Sequence, residues 1–180
     1  MRYEDLDKED FDAIVTGELT HYTLWMEEEI NRLITDYFVS DKTKSKDFHR
    51  LLLYRDDLTF QDKLEISRGM IPLLGLNDQD QTQFRTILNA VEDFKSWRNA
   101  MAHGLDTTPG GYKGVIRIEI VSRLGKEKTI EITPDSHRAK MDEAEKLYHS
   151  LENFVHSVLR ERGDANKTLN RDVGKSHRTP

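Results

Sequence analysis

The stretch Glu92-Asp93-Phe94-Lys95-Ser96-Trp97-Arg98-Asn99-Ala100-Met101-Ala102-His103-Gly104 reads as the end of a long amphipathic helix. Side chains four apart share a helix face, so Asn99 and His103 stack, and Ser96 and Glu92 extend the same stripe backwards. Arg98 falls elsewhere, among Phe84, Ile87, Val91, Phe94 and Met101, the apolar arc of the helix. A guanidinium keeps its charge, so an arginine buried there needs a carboxylate, a partner chain or a phosphate. Gly104 stands where a left-handed residue commonly ends a helix, which leaves His103 beside the negative end of the helix dipole. An arginine and an imidazole one turn apart, with an asparagine between, suit the binding and cleavage of a phosphodiester. The same residues also fit a plain structural role, with Arg98 in an interhelical ion pair and His103 ending the helix.

Working outward, Asn77 or Asp78 caps this helix, giving it about 25 residues. Before it, Thr59 is an N-cap with Asp62 three residues on, a weaker form of the capping box, and its helix runs to Met70 just ahead of Pro72. Phe48 to Tyr54 is an apolar run too short to assign. Asp41 to Asp47 is a charged connector. From Asp7 to Phe38 the apolar positions Phe11, Val15, Leu19, Tyr22, Met26, Ile30, Leu33 and Tyr37 recur at helical spacing. Gly17 is the place along this helix where a bend or break could enter. Residues 1–6 read as an irregular lead-in.

On the other side, Gly104 to Gly114 holds four of the ten glycines and is either a connector or a flap beside His103. Val115 to Val121 and Lys128 to Thr133 alternate in the strand manner. Ile116, Ile118, Ile120, Ile130 and Ile132 fall on one face, and Arg117, Glu119 and Glu131 on the other. The turn Leu124-Gly125-Lys126 joins them into a β-hairpin at about 115–133, which needs support from helices. Thr133-Pro134 starts the last helix. It runs to about Arg162, with Ala144, Leu147, Tyr148, Leu151, Phe154, Val155 and Val158 facing inward. Residues 163–180 carry no periodicity and read as a disordered polar tail. The fold class is mainly α: an up-and-down bundle of four or five helices, with a β-hairpin inserted before the last long one.

Arg98-Asn99-Ala100-Met101-Ala102-His103 resembles the R-x(4–6)-H motif of the HEPN superfamily in its R-N-x-x-x-H form. Leu58-Thr59-Phe60-Gln61-Asp62-Lys63-Leu64 resembles a segment that precedes the motif in several bacterial HEPN-like families. The resemblance covers residues 8–160 in organisation and only these two stretches in actual residues. It implies a single HEPN-like domain over residues 1–162, and a homodimer in which two motif helices meet near the two-fold axis and complete the site around Arg98. It further implies a metal-independent endoribonuclease, a toxin or defence effector with a candidate antitoxin partner. The ribose 2′-OH attacks the adjacent phosphate and leaves a 2′,3′-cyclic phosphate. In that scheme His103 is the general base or acid, Arg98 holds the phosphate, and Asn99 orients the histidine or a phosphate oxygen. Glu92, Ser96 and Lys95 are supporting candidates by position. The resemblance also admits a reading of another class, a non-catalytic dimeric binding or regulatory module in which the motif serves packing.

Composition narrows the field. At 36% hydrophobic and 33% charged, 180 residues suit one charged-surfaced globular domain. No apolar run nears the roughly 18 residues that span a bilayer, and no signal-peptide pattern opens the chain, so no membrane partner and a cytoplasmic location are expected. The absence of cysteine excludes disulfides and thiolate metal sites. The net charge of −6 argues against broad nucleic-acid binding, though not against a local basic site. Glu145, His149, Glu152 and His156 form a stripe opposite the apolar one on the last helix. It should face water rather than a metal, so no metal or cofactor is expected. His21, His49, His137 and His177 read as surface or packing residues.

Overall fold

The structure, a computed structural model, describes the backbone of residues 2–121 and 125–175, and side chains through residue 160. It is mostly helical, with five α-helices and one small antiparallel sheet among the described residues: α1 (Lys8–Phe38), α2 (Ser45–Phe48), α3 (Phe60–Met70), α4 (Asp78–His103), β1 (Leu105–Asp106), β2 (Ile116–Val121), β3 (Glu127–Ile132) and α5 (Pro134–Lys175). No described helix is long and apolar enough to cross a membrane. The chain divides into two compact units, Met1–Met26 with Asn89–His149 and Glu27–Leu88 with Ser150–Pro180.

The first unit carries the motif. Its core takes Phe11, Val15, Leu19 and Met26 from α1, and Val91, Phe94, Ala100 and Met101 from α4. Ile116, Ile118 and Ile132 come from the sheet and Ala144 from α5. Each large side chain so buried contributes about 1.5–3 kcal/mol, and a sheet this small depends on such packing for its stability. The expected faces hold: Ile116, Ile118 and Ile132 are buried, Ile120 and Ile130 half-buried, and Arg117 pairs with its cross-strand neighbour Glu131 at 2.7 Å on the outer face. Gly125 adopts φ +71°, as a tight turn requires, while residues 122–124, including Leu124 of the expected turn, lie outside the described residues.

Three local expectations are corrected here. Gly17 does not interrupt α1, since one helix-interior glycine costs only about 1 kcal/mol and the flanking apolar residues are buried. Residues Tyr3–Asp5 are not an irregular lead-in but a 3-10 turn. Tyr3 packs its ring against Phe11 and His137, and Glu4 pairs with Arg138. The expected hairpin is a three-stranded sheet, because β1 joins β2 with Leu105 opposite Glu119 and Asp106 opposite Ile118.

The second unit buries Ile30, Leu33, Ile34, Leu53, Leu64, Leu88 and Val155, and stacks Phe84 on Phe154 with centroids 4.6 Å apart. Thr59 caps α3 through the amide of Asp62, whose carboxylate returns to the Thr59 amide at 2.8 Å, the full reciprocal box. Asn77 caps α4, its side-chain oxygen accepting from the Asp80 amide at 2.9 Å. The unassigned run around Phe48–Tyr54 forms α2 and a π-turn over His49–Leu53, of which Leu53 alone is buried. α5 continues to Lys175 rather than ending near Arg162. Gly163 ends the apolar pattern without breaking the backbone ladder, and no proline follows before Pro180. Residues 176–180 of the expected tail, His177 among them, lie outside the described residues.

Candidate active site

The end of α4 and the start of β1 set the geometry. Gly104 donates its amide to the Ala100 carbonyl at 2.8 Å, continuing the helical pattern. It is not the left-handed cap that its position suggests, for the positive-φ glycines are Gly75, Gly111, Gly114 and Gly125. Its requirement is space. A Cβ there would collide with Ile118 Cγ2, stand 2.6 Å from the Ala100 carbonyl oxygen and 3.3 Å from that of Glu119. Glycine therefore lets β2 lie directly against the turn that follows His103.

Ser96, Asn99 and His103 line one open depression of about 640 Å³, together with Ala100, Gly104, Leu105 and the β2 residues Glu119, Ile120 and Val121. Asn99 and His103 are exposed. Ser96 gives its hydroxyl proton to the Glu92 carbonyl at 2.9 Å, so Glu92 reaches the site through its backbone. The side chains of Glu92 and Lys95 are half-buried and do not line the depression.

Arg98 stands between the readings offered by its position. It is half-buried and donates from one terminal nitrogen to Asn99 Oδ1 at 3.1 Å. Its Nε is buried with no hydrogen-bond partner, and no carboxylate pairs with it among the described residues. The interhelical ion pair that would give this arginine a purely structural role is therefore not made among the described residues. Asn99 Oδ1 accepts from Arg98, and the exposed Asn99 amide NH₂ offers two donors to a ligand.

Neighbouring charges fix the loop after the site. Thr107 donates its amide to the Arg117 carbonyl at 2.8 Å, and the Arg117 amide donates to the Thr108 hydroxyl at 2.8 Å, so the glycine-rich segment is tied to β2 at its start. Asp106 pairs with Lys8. That ammonium and the Thr108 side chain and amide bring its carboxyl down to about 2. Burial, and then Asp106 itself, push the Asp12 carboxyl up.

No family model, curated protein or solved structure matches this chain. Ser96, Asn99 and His103 were legible from helical spacing, and Ala100 was not. Leu105, Glu119, Ile120 and Val121 were not, because a two-residue strand carries no alternation and strand pairing is absent from local sequence. His137, assigned to surface or packing, is a packing residue with a definite partner: it is buried, and its Nε2 lies 2.5 Å from Glu18 Oε2. On the outer stripe of α5, Glu145, His149 and His156 are exposed and Glu152 is half-buried.

Proposed function

We propose that this chain is a metal-independent endoribonuclease of the HEPN type, working as a homodimer with its helices in an up-and-down bundle. The observation that carries the reading is Arg98: a half-buried guanidinium whose Nε is orphaned and which meets no carboxylate among the described residues, bonded to Asn99 and one turn from an exposed histidine. A phosphodiester supplies the negative charge this group lacks. The ribose 2′-oxygen attacks phosphorus as His103 accepts its proton. The bond to the 5′-oxygen breaks, that oxygen takes a proton, and a 2′,3′-cyclic phosphate remains. Arg98 and the Asn99 amide stabilise the pentacoordinate phosphorane. Such an activity suits a cytoplasmic toxin or defence effector held in check by an antitoxin.

A non-catalytic dimeric binding or regulatory module is the second reading. It is favoured by the net charge of −6 and by Leu105 and Val121, 67% and 61% exposed at the rim of the depression.

The test is complementation. Arg98→Met and His103→Ala proteins should each be inactive. If the site is shared across the two-fold axis, co-refolding an equal mixture restores about a quarter of wild-type cleavage, since half the dimers are mixed and each keeps one intact site. No restoration, with all species dimeric by sedimentation, rules out the shared site. A wild-type protein that sediments only as monomer at micromolar concentration rules out the dimer.

A further inference from the structure

A second concavity, unrelated to the motif, lies between the first half of α1 and the start of α5 in the same unit. It encloses about 470 Å³, and its walls include Tyr3, Tyr22, Trp25, Glu18, Arg138 and Asp142. Trp25 is 46% exposed although it sits in an aromatic cluster, with His21 at 4.8 Å, Tyr22 edge-on at 5.3 Å and Tyr148 at 5.8 Å between centroids. An indole held by three rings yet open to solvent is a preorganised surface.

The charges around it are unequal. Glu18 is fixed by the Tyr3 hydroxyl at 3.3 Å and by His137. Asp142 is exposed on the opposite wall. The cation in the pocket, Arg138, is neutralised by Glu4, has Asp135 at 3.6 Å as a second carboxylate, and lies over the Tyr3 ring at 5.7 Å. Among the described residues no side-chain cation lies over Tyr22 or Trp25. Rings beside carboxylates, with the local cation already compensated, favour a positive guest over a phosphate or a carboxylate.

We propose that this pocket binds a small alkylammonium ion, its head on the faces of Trp25 and Tyr22 and its charge balanced by Asp142 and Glu18. The Tyr22 phenol reports the same field: burial first, then Glu145, Glu18 and Asp142, push its proton affinity up. A methylated head suits the site better than a primary amine, because it gives up less hydration on entering. The volume admits a head of choline size.

Choline provides the probe, and 3,3-dimethylbutan-1-ol, its uncharged carbon isostere, the control. Binding to the full-length protein is read at pH 8 and constant ionic strength from the two indole N–H cross-peaks. The Trp25 peak is identified by its loss in Trp25→Leu. Choline should move the Trp25 peak saturably and leave the Trp97 peak in place, and the isostere should bind at least about tenfold more weakly. Asp142→Asn should weaken choline about fivefold or more, and Trp25→Leu, which keeps apolar bulk without the indole face and is read by titration calorimetry because it lacks the reporter peak, should abolish saturable binding at the same concentrations. The proposal is overturned if choline leaves the Trp25 peak unmoved, if the isostere binds equally well, or if Asp142→Asn binds choline as wild type does. Saturable binding of AMP in place of choline would also overturn it, and would mark a nucleobase site instead.

Discussion

Replacing Gly104 with alanine tests how the motif helix meets the sheet. The new Cβ would run into Ile118 Cγ2, a short branched side chain that is itself 3% exposed, and would stand 2.6 Å from the Ala100 carbonyl oxygen. Neither neighbour can swing away, so α4 and β2 have to separate. Overpacking of this kind costs at most about 3 kcal/mol in ordinary cases, and the loss of glycine's unfolded-state freedom returns about 0.5–1 kcal/mol. The net destabilisation is about 2 kcal/mol, or a fall in Tm of about 4–8 °C for a chain of this length. Gly104→Asn separates crowding from backbone conformation. At a left-handed cap asparagine is better tolerated than alanine, whereas at a crowded position it is at least as damaging because it is larger. The assay is thermal unfolding by circular dichroism for wild type and both variants. A Tm change under about 1 °C for alanine, or an asparagine variant more stable than the alanine one, would refute the crowding argument.

Other perturbations have equally definite outcomes. Arg98→Met removes a guanidinium that has a buried unsatisfied Nε and no carboxylate among the described residues, so urea stability should stay within about 0.5 kcal/mol of wild type or rise, while cleavage is lost. A loss above about 2 kcal/mol would instead reveal an ion pair in solution. For Asp106, Lys8 and Thr108 hold the folded carboxyl at about 2, below the unfolded value near about 3.9. Its contribution is therefore complete above about pH 4 and is lost as pH falls through about 2. Urea midpoints measured from pH 5 to 2 should fall more steeply for wild type than for Asp106→Asn, and parallel curves would contradict the assignment.

What the sequence reveals here depends on how local the cause is. Thr59 with Asp62, Asn77 or Asp78, and Thr133 ahead of Pro134 are helix starts written within four residues; all three helices begin there, the second capped by Asn77. Alternating isoleucines likewise gave β2 and β3. Non-local causes were missed. Gly104 has the sequence position of a left-handed cap, but its need for glycine comes from Ile118, fourteen residues away and across a loop. β1 exists only because β2 offers an edge to Leu105 and Asp106. Tyr3 looked unstructured because its partners Glu18 and His137 lie on two helices distant in sequence. In the site, helical spacing correctly grouped Ser96, Asn99 and His103, whereas placing Arg98 on the apolar arc overstated its burial. A long guanidinium side chain can bury its stem and keep its end near water.

Incubation of purified protein with RNA in the presence of EDTA tests the central claim most directly, wild type beside His103→Ala. His103 is exposed at the end of α4, so its replacement should change stability by about 1 kcal/mol or less, and loss of activity can be read as loss of proton transfer. Wild type should cleave and leave 2′,3′-cyclic phosphate termini, and His103→Ala should not cleave. Wild type that never cuts RNA, or a His103→Ala protein that cuts as fast as wild type, would contradict the account.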